Sequence, residues 1–354
     1  MCKSPLHPLL TALPKVEQHL HIEGSLSPEL LFELAAKNKI ALPADDPAYQ
    51  SVETLYARYA TFASLDDFLG YHYTGMRVLV DASDFEALAY AYFVRAQTTG
   101  NLRHAEIFFD PEMHVVRGVS YATVIDGLRA GQRRAARDLG VTSLLVPCLL
   151  RHLPVESSAA AFDDLVAAGY FADGTLAGLG LCSTEKGKPP GAWAGVFAKA
   201  RALGIRRTVH AAEEGPAAYV TAALDELHAQ RIDHGVRAAE DPAVLRRLTA
   251  DRVLVTVCPV SNVALKVFPS VSRVPVRALL DAGVPFSINS DDPGYFGGYI
   301  QENYCAVEDA FGLTVDEWAR IVRNSVELSW ADEPRKQALL GELDAVVAGW
   351  KAKA

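Results

Sequence analysis

His19-Leu20-His21 closes an alternating stretch that begins at Pro14. On a strand, residues two apart point to the same face, so both imidazoles would face one way. Neutral imidazole is a common metal ligand, and two on one face can hold one ion. A pair of strand histidines hydrogen-bonded to neighbours is the structural alternative. Three further segments carry polar residues where a strand would end: Thr208-Val209-His210-Ala211-Ala212-Glu213-Glu214-Gly215, Arg231-Ile232-Asp233-His234-Gly235, and Ser287-Ile288-Asn289-Ser290-Asp291-Asp292-Pro293-Gly294. Taken singly, each has an ordinary reading. His210 could be a core histidine, His234 with Asp233 a surface pair, and Asp291-Asp292-Pro293-Gly294 a turn. Taken together, His19, His21, His210 and Asp291 can surround one ion if the strand ends converge. Three imidazoles and a carboxylate suit zinc and leave a position for water.

Convergence depends on the elements between these segments. Apolar runs with strand character fall at Val16–His21, Ala105–Phe109, Leu144–Leu149, Leu176–Leu181, Arg207–His210, Arg231–Asp233, Val253–Val257 and Pro285–Ile288. Amphipathic stretches such as Tyr121–Leu139, Pro190–Leu203, Ala217–Ala229 and Val274–Ala282 separate them. Strand–helix alternation implies a parallel sheet, and eight units imply a closed (β/α)8 TIM barrel whose strand ends meet at one mouth. A doubly wound open sheet is the second architecture, but no GxGxxG, GxxxxGK[ST] or GxSxG is present. The pattern is that of one barrel domain over 1–354. A helical insert, about 25–103, would follow the first strand and lid the mouth, with helices over Pro28–Lys37, Ser51–Ala63, Leu65–Leu79 and Phe85–Thr98. Phe62, Phe68, Tyr71 and Tyr73 would either line its underside or form its own core.

The chain has 354 residues, half of them hydrophobic, so a large core is available. A net charge of -9 argues against nonspecific binding to nucleic acid or an anionic membrane. Cys2, Cys148, Cys182, Cys258 and Cys305 are scattered and show no CxxC, which disfavours a disulfide scaffold or a thiolate zinc site. The opening residues are too polar for a secretory segment, and no apolar run reaches a membrane span. A cytoplasmic protein, possible in the nucleus as well, is the expectation; its oligomeric state is open. His7, His72, His104, His114, His152 and His228 lack a strand-end context and read as structural or exposed.

From Pro14 to about Ser329 the chain resembles the adenosine/adenine deaminases of the amidohydrolase superfamily. The carriers are PKVEQHLHIEGSL, HAAEEG, RIDHG and NSDDPGYFGGY, in family order. The resemblance implies that His19, His21, His210 and Asp291 hold one Zn2+ per chain. It implies that Glu213 protonates a purine ring nitrogen, that His234 orients and helps deprotonate the attacking water, and that Asp292 meets the imidazole edge of the substrate. A carboxyl that donates a proton needs a raised pKa, which burial under a lid could supply. Glu23 stands where adenosine deaminases usually carry aspartate near the ribose, and it points to the free base adenine, giving hypoxanthine and ammonia in purine salvage. Thr184 and Glu185, in a segment resembling GLDSSE, join the expected substrate contacts.

Several positions depart from the family pattern. Cys182 replaces an aspartate, Ala212 replaces a glycine and would be strained at positive φ, and Lys186 and Lys188 add charge near the mouth. Adenosine or an N6-substituted adenine are therefore alternative substrates. A binuclear amidohydrolase would need a bridging lysine where Cys182-Ser183 stands. A nucleic-acid base deaminase would pair HxE with PCxxC, and Pro147-Cys148 lacks the second cysteine. A catalytically inactive purine-binding barrel is the remaining alternative.

Overall fold

The computed structural model describes residues 2–353. Eight strands follow one another around a parallel sheet: β1 Lys15–His21, β2 Leu102–Phe109, β3 Thr142–Leu150, β4 Gly178–Cys182, β5 Arg206–Ala211, β6 Arg231–His234, β7 Leu254–Val257 and β8 Phe286–Ile288. Most are buried along their whole length, as strands covered on both faces must be. The ring closes through backbone just past β8. The His21 N–H donates to the Asp291 carbonyl at 2.9 Å, and the Asp291 N–H donates to the His19 carbonyl at 3.0 Å. The architecture is the expected (β/α)8 barrel. The fourth strand starts later than expected, at Gly178; Leu176 makes only an isolated bridge to Leu145.

Helix boundaries follow local chemistry. Tyr121–Leu139 begins where Ser120 accepts from the Thr123 N–H and ends at Gly140, which takes φ 67°. Pro190–Leu203 divides into a 3-10 turn, Pro190–Trp193, and a helix, Ala194–Ala202. The two other expected helices are shorter than their apolar pattern, Ala218–Asp225 and Val276–Ala282.

Between β1 and β2 the insert folds as helices Pro28–Asn38, Val52–Tyr59, Leu65–Gly75 and Ala82–Gly100. The last of these packs closely on Tyr121–Leu139. A Cβ at Gly127 would lie 2.3 Å from the Ala82 carbonyl oxygen, so glycine permits the approach. The insert's aromatics divide between both expected roles. Phe68 and Tyr73 line a cavity at the barrel mouth. Phe62 packs within the lid, and Tyr71 hydrogen-bonds Arg58 and Asp46 there. All five cysteines are buried and unpaired, and among the described residues no helix is long and apolar enough to cross a membrane.

Candidate active site

The mouth is built at the C-terminal ends of the strands. On β1, Glu17 pairs with Ala105 but Leu20 pairs with Ile107, so β1 gains one residue over β2 immediately before its histidines end. Such a bulge re-aims side chains. Here His19 and His21 both turn inward, onto the face of Phe108, with ring centroids 5.2 Å away in each case. His210 comes from β5 and Asp291 from the loop after β8.

The donor atoms of these four residues converge within 4.8 Å of one another. His19 Nε2 lies 3.1 Å and His21 Nε2 3.6 Å from Asp291 Oδ1. His21 Nε2 and His210 Nε2 face each other at 3.1 Å. Burial holds His21 and His210 below the ordinary imidazole range, which favours their neutral, ligating form. In one pair of tautomers this contact is an N–H···N hydrogen bond, and in the other both lone pairs point at a shared position that a cation can fill. His19 Nε2 is buried, and its 3.1 Å contact with Asp291 is not aligned as a hydrogen bond. These observations fit a metal ion, and the donor set suits zinc.

Outer contacts orient the ligands, as metal sites require. His19 Nδ1 meets Thr256 Oγ1 at 2.8 Å, and His210 Nδ1 lies 3.4 Å from Asp233 Oδ2. Thr208 Oγ1 donates to Asp233 at 2.7 Å, and Ser261 Oγ donates to Asp291 Oδ2 at 2.6 Å. Burial opposes ionisation of Asp291, but His19, His234 and His21 around it hold its carboxyl well below the usual range.

Further titratable groups adjoin this cluster. Glu213 Oε2 lies 3.4 Å from His234 Nε2, and Asn262 Nδ2 lies 3.4 Å from Glu213 Oε1. Burial, reinforced by Asp291, Glu185 and Glu214, pushes the Glu213 carboxyl well up. Burial pushes the His234 imidazole well down, with the charge of His19 acting the same way. Asp292 is raised by burial and by Asp291. Burial thus favours the protonated form of Glu213 and Asp292 and the neutral form of His234, while Asp291 is favoured as the carboxylate.

Asp291, His234 and Ala212 all take positive φ, at 64°, 61° and 60°. Backbone of this kind costs about 1–3 kcal/mol per residue and persists where surrounding structure enforces it. Ala212 is thus strained as its substitution for glycine implied.

A small cavity of about 40 Å³ opens beside the cluster. Its walls include His21, His210, Glu213, His234, Asp291 and Asp292. They also include His72, which corrects its assignment as a structural or exposed residue. His72 Nδ1 lies 3.8 Å from Asp292 Oδ1, and burial lowers its imidazole to about 4. Asp110 and Cys182 form a further wall, with Cys182 Sγ 3.7 Å from Asp110 Oδ1.

Three expected substrate contacts are placed differently. Glu23 is fully buried and does not line the cavity. Its Oε1 accepts from His114 Nε2 at 2.9 Å and from the Asp110 N–H at 3.1 Å, so it braces the wall behind Asp110. Glu185 accepts the backbone N–H groups of Ala212, Glu213 and Gly215, at 3.0, 3.0 and 3.1 Å, and fixes the Glu213 loop. Thr184 is half-buried and lies outside the cavity wall. Lys186 pairs with Asp66 of the lid at 3.2 Å and with Glu214 at 3.1 Å, tying lid to barrel. Lys188 is exposed.

Sequence reasoning missed Ser261, Asn262 and Asp110. Each follows the same rule that found the ligands, a polar residue just past a strand. Cys258-Pro259-Val260-Ser261-Asn262 follows β7 and Asp110 follows β2.

Comparison with known proteins bears on this arrangement. The family model described as Adenosine deaminase matches residues 14–346. An adenine deaminase of Gibberella zeae is 55% identical, over 99% of this chain and 99% of its own length. The Saccharomyces cerevisiae adenine deaminase is 46% identical, over 96% of this chain and 97% of its own. The crystal structure of an adenine deaminase from Arthrobacter aurescens superposes with a TM-score of 0.89 at 41% identity, covering 97% of this chain and all (100%) of that one. An amidohydrolase from Burkholderia ambifaria, solved with bound Zn, gives a TM-score of 0.87 at 28% identity, covering 99% of this chain and 98% of that one. With the family model and near-full-length relatives in agreement, the chain belongs to the adenosine deaminase family, within the amidohydrolase-type barrels.

Proposed function

We propose that the protein is a zinc-dependent adenine deaminase, converting adenine and water to hypoxanthine and ammonia. The observation that carries this reading is Glu213 and His234 facing each other at 3.4 Å on the wall of the cavity that also exposes His21, His210 and Asp291. His19, His21, His210 and Asp291 would hold a single zinc ion. Zinc bound there supplies Lewis acidity that brings the pKa of water toward neutrality.

The chain's own residues do the remaining work. Glu213, protonated through burial, donates to the ring nitrogen beside C6 and so makes the ring electrophilic. His234, kept neutral, accepts a proton from the attacking water. Asp292, with its raised carboxyl, hydrogen-bonds the imidazole edge of the base. A C6–O bond forms, the C6–N bond breaks, the water proton taken by His234 leaves with ammonia, and the remaining hydroxyl proton passes to Glu213 as the C6 carbonyl forms. Leu65, Phe68 and Leu265 on the cavity wall limit bulk water.

Similarity over nearly the whole chain to proteins named adenine deaminase supports the free base as substrate. A single ion is favoured because β4 ends in Cys182 and Lys186 is engaged outside the cluster. The acidic charge and free cysteines favour a small purine in the cytoplasm over a nucleic acid. The test is zinc-loaded protein assayed for ammonia release from adenine, adenosine and N6-methyladenine. Adenine is expected to give the highest kcat/KM; preference for adenosine would reject the free-base assignment, and no release from any would reject deamination.

A further inference from the structure

A second group of metal-ligating side chains lies at the other end of β1, beside Lys15. Cys2 Sγ is 3.0 Å from His7 Nδ1, and Cys305 Sγ, on the helix Ile300–Phe311, is 3.6 Å from the same nitrogen. All three donor atoms lie within 4.8 Å of one another. Cys2 and Cys305 are each 8% exposed, and His7 is half-buried. For a tetrahedral zinc ion with Zn–S ~2.3 Å and Zn–N ~2.0–2.1 Å, the S···N edge is about 3.6 Å. The Cys305–His7 separation of 3.6 Å equals that edge, and Cys2 at 3.0 Å from His7 would have to open by a few tenths of an ångström to meet it.

Neighbouring contacts point the same way. Gln301 is 6% exposed, and its Oε1 has no hydrogen-bond partner, while its Nε2 lies 3.5 Å from Cys305 Sγ. The two ends of an amide have nearly the same shape, so a half-turn exchanges them and brings an oxygen donor to the cluster. The segment holding Cys2 is fixed independently. The Lys3 N–H donates to Asp309 Oδ1 at 3.0 Å, and Ser4 Oγ donates to Glu308 Oε1 at 2.6 Å. The ligands are thus brought together by the fold, as a preformed site needs.

We propose that Cys2, His7 and Cys305 form a second metal site for one thiophilic d10 cation of the zinc class, joining the segment before β1 to the helix Ile300–Phe311. It stands apart from the catalytic cluster, and its test does not depend on the substrate assignment. Full-length protein, reduced with a phosphine, is titrated with Cd2+. Thiolate-to-cadmium absorbance is recorded, and bound metal per chain is counted after desalting. The expected result is two equivalents with a thiolate band. Cys2→Ser and Cys305→Ser should each lose the band and one equivalent while keeping adenine turnover with zinc. His7→Ala, which leaves both thiols in place, should weaken the second equivalent at least about tenfold. One equivalent without a thiolate band in the unaltered protein overturns the proposal, whether or not any variant folds. So does a band that persists in the Cys2→Ser/Cys305→Ser double variant, which would place it at Cys182 or Cys258.

Discussion

At the barrel mouth, Glu213, Asp292 and Asp110 are pushed up by burial, and they face His234 and His72, whose own imidazoles are pushed down. Deeper in the same barrel, Glu106 and Asp233 are just as buried but stay ionised. Burial raises Glu106 too, yet Arg231 and His104 lower it to about 2. Asp233 is held down against burial by His210, His19 and Arg231. Arg231 Nη1 bonds Glu106, its Nε bonds Thr208 Oγ1 at 3.2 Å, and its guanidinium lies 4.1 Å from the Trp330 ring centroid. The deep layer pairs its charges and holds the barrel. At the mouth, burial pushes Glu213, Asp292 and Asp110 toward the protonated form, with strained backbone beside them, where a reaction can use them.

This contrast can be broken from either side. Glu213→Gln removes the proton donor from the mouth but keeps its shape. Turnover of adenine should fall by about 10²–10⁴-fold, with metal content and Tm unchanged; an active variant would place the donor elsewhere. Arg231→Met removes the cation from the deep layer and leaves Glu106 and Asp233 buried without it. Loss of stability should be about 3–5 kcal/mol in urea unfolding, and a change under ~1 kcal/mol would mean that the deep layer is not a structural pair.

The same layer sets an acid limit. The folded pKa of Glu106, about 2, lies below its ordinary value of 4.5, so its stabilisation is complete above 4.5. It is lost as pH falls toward 2, with on the order of 3 kcal/mol at stake. Unfolding free energy against pH should fall across that window, and the fall should be shallower in Glu106→Gln. The smallest effect is at Ala212, where relief of a left-handed alanine outweighs the added freedom of the unfolded chain. Ala212→Gly should stabilise by about 0.5–1 kcal/mol without altering kcat. Destabilisation would show that the alanine methyl is worth more than the strain.

The barrel and the mouth cluster were legible for a local reason. Strands such as Leu254–Val257 are short apolar runs, and His19, His21, His210 and Asp291 are polar residues at or just past the ends of such runs. Asp110, Ser261 and Asn262 satisfy the same rule, but their neighbours Pro111 and Pro259 also suit an ordinary helix start. His72 sits mid-helix in the lid, where nothing local distinguishes a cavity residue from a packed one. Glu23 was read from its place in the family motif, but its direction was decided by His114 and the Asp110 backbone.

The sequence by itself determined the alternation that makes the barrel, the residue types that can hold zinc, and the family to which they belong. Tertiary structure decided which carboxyls burial pushes up and which charge pairing holds down, that Glu23 and Glu185 brace the site instead of lining it, and that His7 meets Cys305 across 298 positions of chain. The physical reason is range. Period and capping are set by neighbours in sequence, whereas burial, charge pairing and ligand convergence depend on elements that only the closed barrel brings together.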